Sequence, residues 1–156
     1  MAVTNLNTAP IFTDIPKVSG VRVALAQTNS QGIGTVGTDY FVAFSAGTNG
    51  SYVQRTRFSL TGATANVAST AAVLRVYVST ASAGAATTLN TWLVQEVTAA
   101  AQTPNVVTTL TGATYPIDIP LNFAIPTGHN ILVGVSAISV AANAPTWVAT
   151  TYGGDY

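Results

Sequence analysis

Apolar and polar residues alternate with a period of two along most of the chain. Val21, Val23 and Leu25 point to one side of a segment whose other side carries Arg22, Ala24 and Ala26, the signature of a strand half-buried in a sheet. Residues 52–60 set Tyr52, Gln54, Thr56, Phe58 and Leu60 against Val53, Arg55, Arg57 and Ser59, so two arginines fall on one face. Residues 73–79 send Leu74, Val76 and Val78 one way and Arg75 and Tyr77 the other. Residues 92–98 alternate again, and further strands are predicted at 40–44, 106–110, 117–123, 131–140 and 147–152. Turn formers separate them, among them Asn49-Gly50, Pro104, Gly112, Pro116, Pro126, Gly128 and Pro145. Eight or nine strands without amphipathic helices between them argue against parallel βαβ units. They predict an all-β fold, an antiparallel β-sandwich of jelly-roll-like form. The alanine-rich stretches 63–72 and 97–102 are interrupted by Ser, Thr or Asn and read as loops or strand ends. Leu-Thr-Gly-Ala-Thr occurs at 60–64 and 110–114 with unlike flanks, which points to shared strand-to-turn chemistry and not to a duplication.

Composition agrees with this picture and adds a constraint. Among 156 residues there are 25 Thr, 25 Ala, 19 Val and 13 Gly; the β-branched residues suit a pleated surface, while Leu, Glu, Lys and Arg, the usual helix formers, are scarce. Only ten residues are charged, five of each sign, so the formal net charge is zero. An ordinary soluble protein has about a quarter of its residues charged. Nucleic acid and anionic membrane are thereby excluded as expected partners, because each needs a cationic footprint. No apolar run approaches the roughly 20 residues of a membrane span. Residues 1–12 contain no basic residue and no continuous apolar run, so no secretory signal is expected and synthesis in the cytoplasm is the reading. There is no cysteine, which removes disulfides, thiolate nucleophiles and cysteine metal sites. An uncharged exterior of this kind has little colloidal repulsion, and association with other copies or a larger scaffold is the expected result.

The candidate chemistry is sparse. His129, the single histidine, sits in a Pro-Thr-Gly-His-Asn turn, and no Gly-x-Ser-x-Gly elbow accompanies it. Asp14, Asp39, Glu96, Asp118 and Asp155 are scattered singly, without the local spacing of a calcium loop. A small hydrolase or lyase would require His129 and two carboxylates to converge from a distance. The glycine-rich segment 31–38 lacks the Lys-Ser/Thr ending of a P-loop and reads as a flexible loop. No catalytic residue, metal site or cofactor is expected. Arg55 and Arg57 are candidates for a partner interface, or for a wet face paired to a nearby carboxylate. Trp92 and Trp147 are expected in the core or at a subunit interface rather than on a sugar platform.

The C-terminal run Trp147-Val148-Ala149-Thr150-Thr151-Tyr152-Gly153-Gly154-Asp155-Tyr156 resembles the tails of small β-sandwich proteins from tailed-phage structural modules, which commonly finish in Gly-Gly-Asp and an aromatic residue. The segment Ala72-Val73-Leu74-Arg75-Val76-Tyr77-Val78-Ser79-Thr80 is similar to the same group. The resemblance covers roughly the last half of the chain, and the first forty residues carry none of it. It implies a head decoration, or cement, protein: a non-enzymatic homo-oligomer, commonly a trimer, bound to the major capsid protein on the virion surface. Residues 1–18 would then be an N-terminal arm and 19–156 a single sandwich domain. Arg55, Arg57, Trp147, Tyr152, Asp155 and Tyr156 are the expected partner-interface residues, the last two through docking of the tail in a partner's groove. The alternative is a receptor- or glycan-binding module of a phage tail or a cell surface.

Overall fold

The computed structural model describes residues 13–29, 32–61, 67–103, 116–140 and 144–156. Ten strands run through them: β1 (Ile15–Val23), β2 (Gly34–Val36), β3 (Phe41–Ser45), β4 (Ser51–Thr61), β5 (Ala72–Ser79), β6 (Gly84–Ala86), β7 (Thr91–Ala99), β8 (Ile117–Ile125), β9 (Asn130–Val135) and β10 (Thr146–Asp155). No helix occurs among the described residues. Two four-stranded antiparallel sheets, ordered β1-β10-β4-β8 and β3-β9-β5-β7, carry the eight long strands. Leaving out the short β2 and β6, the first strand pairs with the last, the second with the seventh, the third with the sixth and the fourth with the fifth. That is one long hairpin, and the pairings β4–β10 and β5–β9 roll it into two sheets. The fold is therefore an antiparallel sandwich with jelly-roll topology.

The inward sides of the sheets meet in a core of Val23, Phe44, Val53, Phe58, Leu74, Val76, Ile119, Ile131, Val133 and Trp147 with their neighbours. Alternation in β4 breaks once. Gln54 has no cross-strand partner in either adjoining ladder, and this bulge reverses the side-chain parity. Val53 and Ser51 point inward before it, Thr56 and Phe58 after it. The expected pairing of Tyr52 with Phe58 on one face is corrected accordingly, while Arg55 and Arg57, both beyond the bulge, keep a common outward face.

A second, smaller core lies on the outer side of the β3-β9-β5-β7 sheet, where Tyr40, Tyr77, Leu132 and Ala86 are buried together. Tyr40 and Tyr77 meet edge to face, centroids 4.9 Å apart. The cover comes from the glycine-rich segment, read from sequence as a flexible loop, and from the small-residue stretch 80–88. Each contains a three-residue strand, and the two strands pair as β2–β6. This cover explains why β9 is buried along its whole length, a pattern that period-two reasoning for a half-solvated sheet does not produce. Gln27 also lies over this face: its amide donates to Val135 O at 2.8 Å and its side chain bonds Tyr77 and Arg75. Gly134 leaves the space, since a Cβ there would fall within 2.2 Å of the Gln27 carboxamide nitrogen.

Several sequence boundaries shift. β1 begins at Ile15, so residues 15–18 belong to the sandwich and not to an arm; Pro16 is tolerated because β1 is an edge strand. The predicted strand 131–140 ends at Val135, and 97–99 continue β7. The predicted strand 106–110, the second Leu-Thr-Gly-Ala-Thr and most of the first, and residues 1–12 lie outside the described residues.

Candidate interaction face

The outward side of the β1-β10-β4-β8 sheet gathers the chemistry that sequence reading left scattered. The register places Arg55 beside Tyr152 on β10 and Arg57 beside Asp118 on β8. Arg57 grips Asp118 through two parallel hydrogen bonds, Nε to Oδ1 and Nη2 to Oδ2, both 2.8 Å. Arg55 stacks over the Tyr152 ring, 4.5 Å from its centroid, with Nε 3.7 Å from Asp118 Oδ1. That nitrogen is buried and has no hydrogen-bond acceptor among the described residues. The hydrogen bonds from Arg57 hold the Asp118 carboxyl below the ordinary aspartate range, against the opposing pull of burial. Tyr52 reaches across to Asn122. Between β1, β10 and β4 the same face is furrowed by a shallow groove of about 320 Å³ lined by Pro16, Lys17, Val18, Tyr52, Gln54 and Tyr152, among others.

The remaining predicted interface residues fall elsewhere. Trp147 is 2% exposed and fills the core; it shares the inward side of β10 with Ala149 and Thr151, so it has no surface to offer a partner. Asp155 is half-buried at the end of β10, where it takes hydrogen bonds from Ser51 and Lys17. Burial alone would raise its pKa, but these donors outweigh that and hold it lowered. Lys17 also donates to Ser45 O at 2.6 Å and lies over the Phe44 ring. The Tyr156 amide donates to Gly50 O. Gly153 and Gly154 are paired on both sides, to β1 and β4, so the Gly-Gly-Asp ending is an interior strand of its own sheet rather than a loose tail. Trp92 is not in the core: it is 46% exposed on β7, at the edge of the other sheet.

His129 Nδ1 lies 3.3 Å from Thr127 O in its turn, and no carboxylate or hydroxyl among the described residues hydrogen-bonds its ring. No group of three or more His, Cys, Asp or Glu converges on a metal-sized site among the described residues, and no helix there is long and apolar enough to cross a membrane. Asp39, buried, accepts from the Thr28 hydroxyl at 2.6 Å, the Thr28 amide at 3.0 Å and the Thr35 amide at 2.9 Å. The Thr28 hydroxyl leads the lowering of its pKa. This carboxylate ties the covering loop down.

The fold and the face define a class, an antiparallel jelly-roll sandwich whose ionic groups are turned on one another. Among known proteins, no family model, no curated protein and no solved structure matches the chain.

Proposed function

We propose that the protein is a structural, non-enzymatic component of a phage virion: a capsid decoration protein that binds and stabilises a head lattice and associates with its own copies. The observation that carries this reading is the state of the charges. Seven of the ten, Lys17 with Asp155, Arg55 and Arg57 with Asp118, and Arg75 with Glu96, are consumed in four ion pairs within the molecule. Such an exterior exerts little long-range field, so it neither steers a charged substrate nor repels identical neighbours. Recognition then rests on shape, apolar contact and hydrogen bonds. Jelly rolls recur in capsid and lectin domains, and the resemblance of the C-terminal half to phage structural proteins supports the first of these. Stabilisation would come from many copies, each contributing a modest contact across a repeating shell, with the lattice supplying multivalency. The outward face with Arg55, Arg57 and Tyr152 is the surface offered to the major capsid protein.

A second reading has one observation in its favour. The groove beside Tyr52, Gln54 and Tyr152 sets aromatic rings next to an amide, which suits a glycan. Mixing the purified protein with capsids that lack it, and separately with a glycan array, separates the two. Saturable capsid binding without sugar binding is expected; sugar binding with no affinity for any capsid would replace the first reading by the second.

A further inference from the structure

All ten charged residues lie among the described ones, and they are not spread evenly. The outward side of the β1-β10-β4-β8 sheet holds Arg22, Arg55 and Arg57 against the single carboxylate of Asp118. That is an excess of two positive charges on one face of a chain whose formal net charge is zero. The ladders set the arginines on three successive outward rungs. Arg55 shares a rung with Val18 and Tyr152, Arg57 the next with Gly20 and Thr150, and Arg22 the third with Val148. Asp118 is committed to Arg57 by two hydrogen bonds of 2.8 Å and stands 3.7 Å from Arg55 Nε, beyond hydrogen-bond reach. Arg22, exposed, donates only to the Thr146 hydroxyl at 3.2 Å, and none of the four ion pairs includes it.

Gly20, in the middle of β1, is a second and independent signal. A glycine inside a strand weakens it, and one reason to keep it is the close approach of a ligand or another backbone. The fold itself supplies no reason: Gly20 has no positive φ, and a Cβ there would meet its nearest neighbours at an ordinary 3.6 Å. The residue is exposed on the arginine-bearing face, with Arg57 on its own rung and Arg22 on the next. Its bare backbone opens the sheet to approach from outside at the point where the cations converge.

We propose that this face docks an extended acidic segment of a partner protein, laid along the strands over Gly20 and Thr150 with carboxylates on alternate residues. Same-side residues of an extended chain repeat about every 7 Å, which is also the spacing of the rungs, so successive carboxylates meet Arg55, Arg57 and Arg22 in turn. All three cations are arginines, whose planar forks take a carboxylate through two hydrogen bonds at once. A nucleic-acid backbone spreads its charge over a longer footprint than three arginines cover. The excess is local and acts at contact range, in keeping with a molecule that has little field at a distance.

This rests on the reading of the same face as the surface offered to a capsid and names the chemistry met there, yet the two fail separately. The probe is a synthetic peptide alternating Glu and Thr, with a Gln-Thr peptide of equal length as control. In a titration followed by amide NMR the Glu peptide alone should shift Gly20, Thr150 and Arg57, and raising salt from about 20 to about 200 mM should weaken it several-fold. Gly20→Val should abolish this binding without lowering the melting temperature, because it fills the approach and not the fold. Arg22→Gln, at an exposed site, should weaken it several-fold. No binding of the Glu peptide, equal binding of both peptides, or unchanged binding by both variants would each overturn the inference. Tighter binding of heparin or of a single-stranded oligonucleotide than of the Glu peptide would overturn it in favour of a sulfate or phosphate polymer. Peptide binding without capsid binding removes the lattice reading and leaves the acidic-segment site, whereas capsid binding that both variants leave unchanged removes the site and leaves the lattice reading.

Discussion

Thr56 and Thr151 face each other inside the sandwich, their hydroxyls 2.9 Å apart and buried. Each satisfies the other, so removing one leaves a buried hydroxyl without its partner. Thr56→Val should cost about 1–3 kcal/mol, while Thr56→Val with Thr151→Val should cost less than the sum of the two single changes. Urea denaturation of the four members of the cycle measures this. Space decides a second case. A Cβ at Gly153 would lie 2.3 Å from the Tyr52 carbonyl oxygen, a backbone atom that cannot swing away, whereas at Gly20 the nearest atoms are at an ordinary 3.6 Å. Gly153→Ala should therefore destabilise by about 1–3 kcal/mol, and Gly20→Ala should be neutral or stabilise by up to about 1 kcal/mol through the reduced freedom of the unfolded chain. Thermal melts of the two variants check the contrast. The double glycine near the C-terminus thus has a packing cause in its own sheet.

At the scale of elements, the cover over Tyr40 and Tyr77 depends on a single carboxylate. Asp39→Ala leaves the amides of Thr28 and Thr35 and the hydroxyl of Thr28 without their acceptor. The change should cost about 1–3 kcal/mol, with amide exchange accelerated in residues 27–29 and 32–39 and unchanged in β4 and β10. Exchange followed by mass spectrometry resolves the two regions. The long strands were legible in sequence because alternation is what a sheet with one wet face imposes on its residues. β2 and β6 were not, because three-residue strands of Gly, Ala, Thr and Val in small-residue loops have no periodicity to read, and their pairing depends on the sheet beneath. The bulge at Gln54 was equally hidden, since an inserted residue shows only against its neighbouring strands. Arg55 and Arg57 were found by alternation; the groove beside them was not, because Pro16, Tyr52 and Tyr152 come from three strands.

For the whole molecule, pH bears on stability from both ends. Asp39, Asp118 and Asp155 have pKa values lowered from 3.8 by their hydrogen bonds. Their contribution is fully present above the unfolded value and is lost as pH falls from about 3.8 through the lower folded values, because the unfolded chain then binds more protons. Tyr40 is pushed up to about 12, chiefly by burial, and burial likewise raises Tyr77. The neutral rings are favoured in the fold, so this contribution is intact below pH 10 and declines as pH rises toward 12. Melting temperature against pH should be flat from about 5 to 9 and fall on either side. Tyrosinate absorbance should show Tyr40 ionising only near 12, and a titration of all six tyrosines near 10 with the fold intact would contradict it.

Composition and a period of two were enough to set the class: β-branched residues in short alternating runs, punctuated by Gly, Pro and Asn, have no stable arrangement except antiparallel sheets packed face to face. Scarcity of charge was equally plain from the residues. Which charges neutralise one another and which tryptophan is interior were decided by tertiary structure. Each depends on strand order and register, and these join residues as far apart as Lys17 and Asp155. Trp92 and Trp147 occupy similar alternating runs; β7 is the edge strand of its sheet while β10 lies between β1 and β4 in the other, and that placement leaves one ring half exposed and the other in the core.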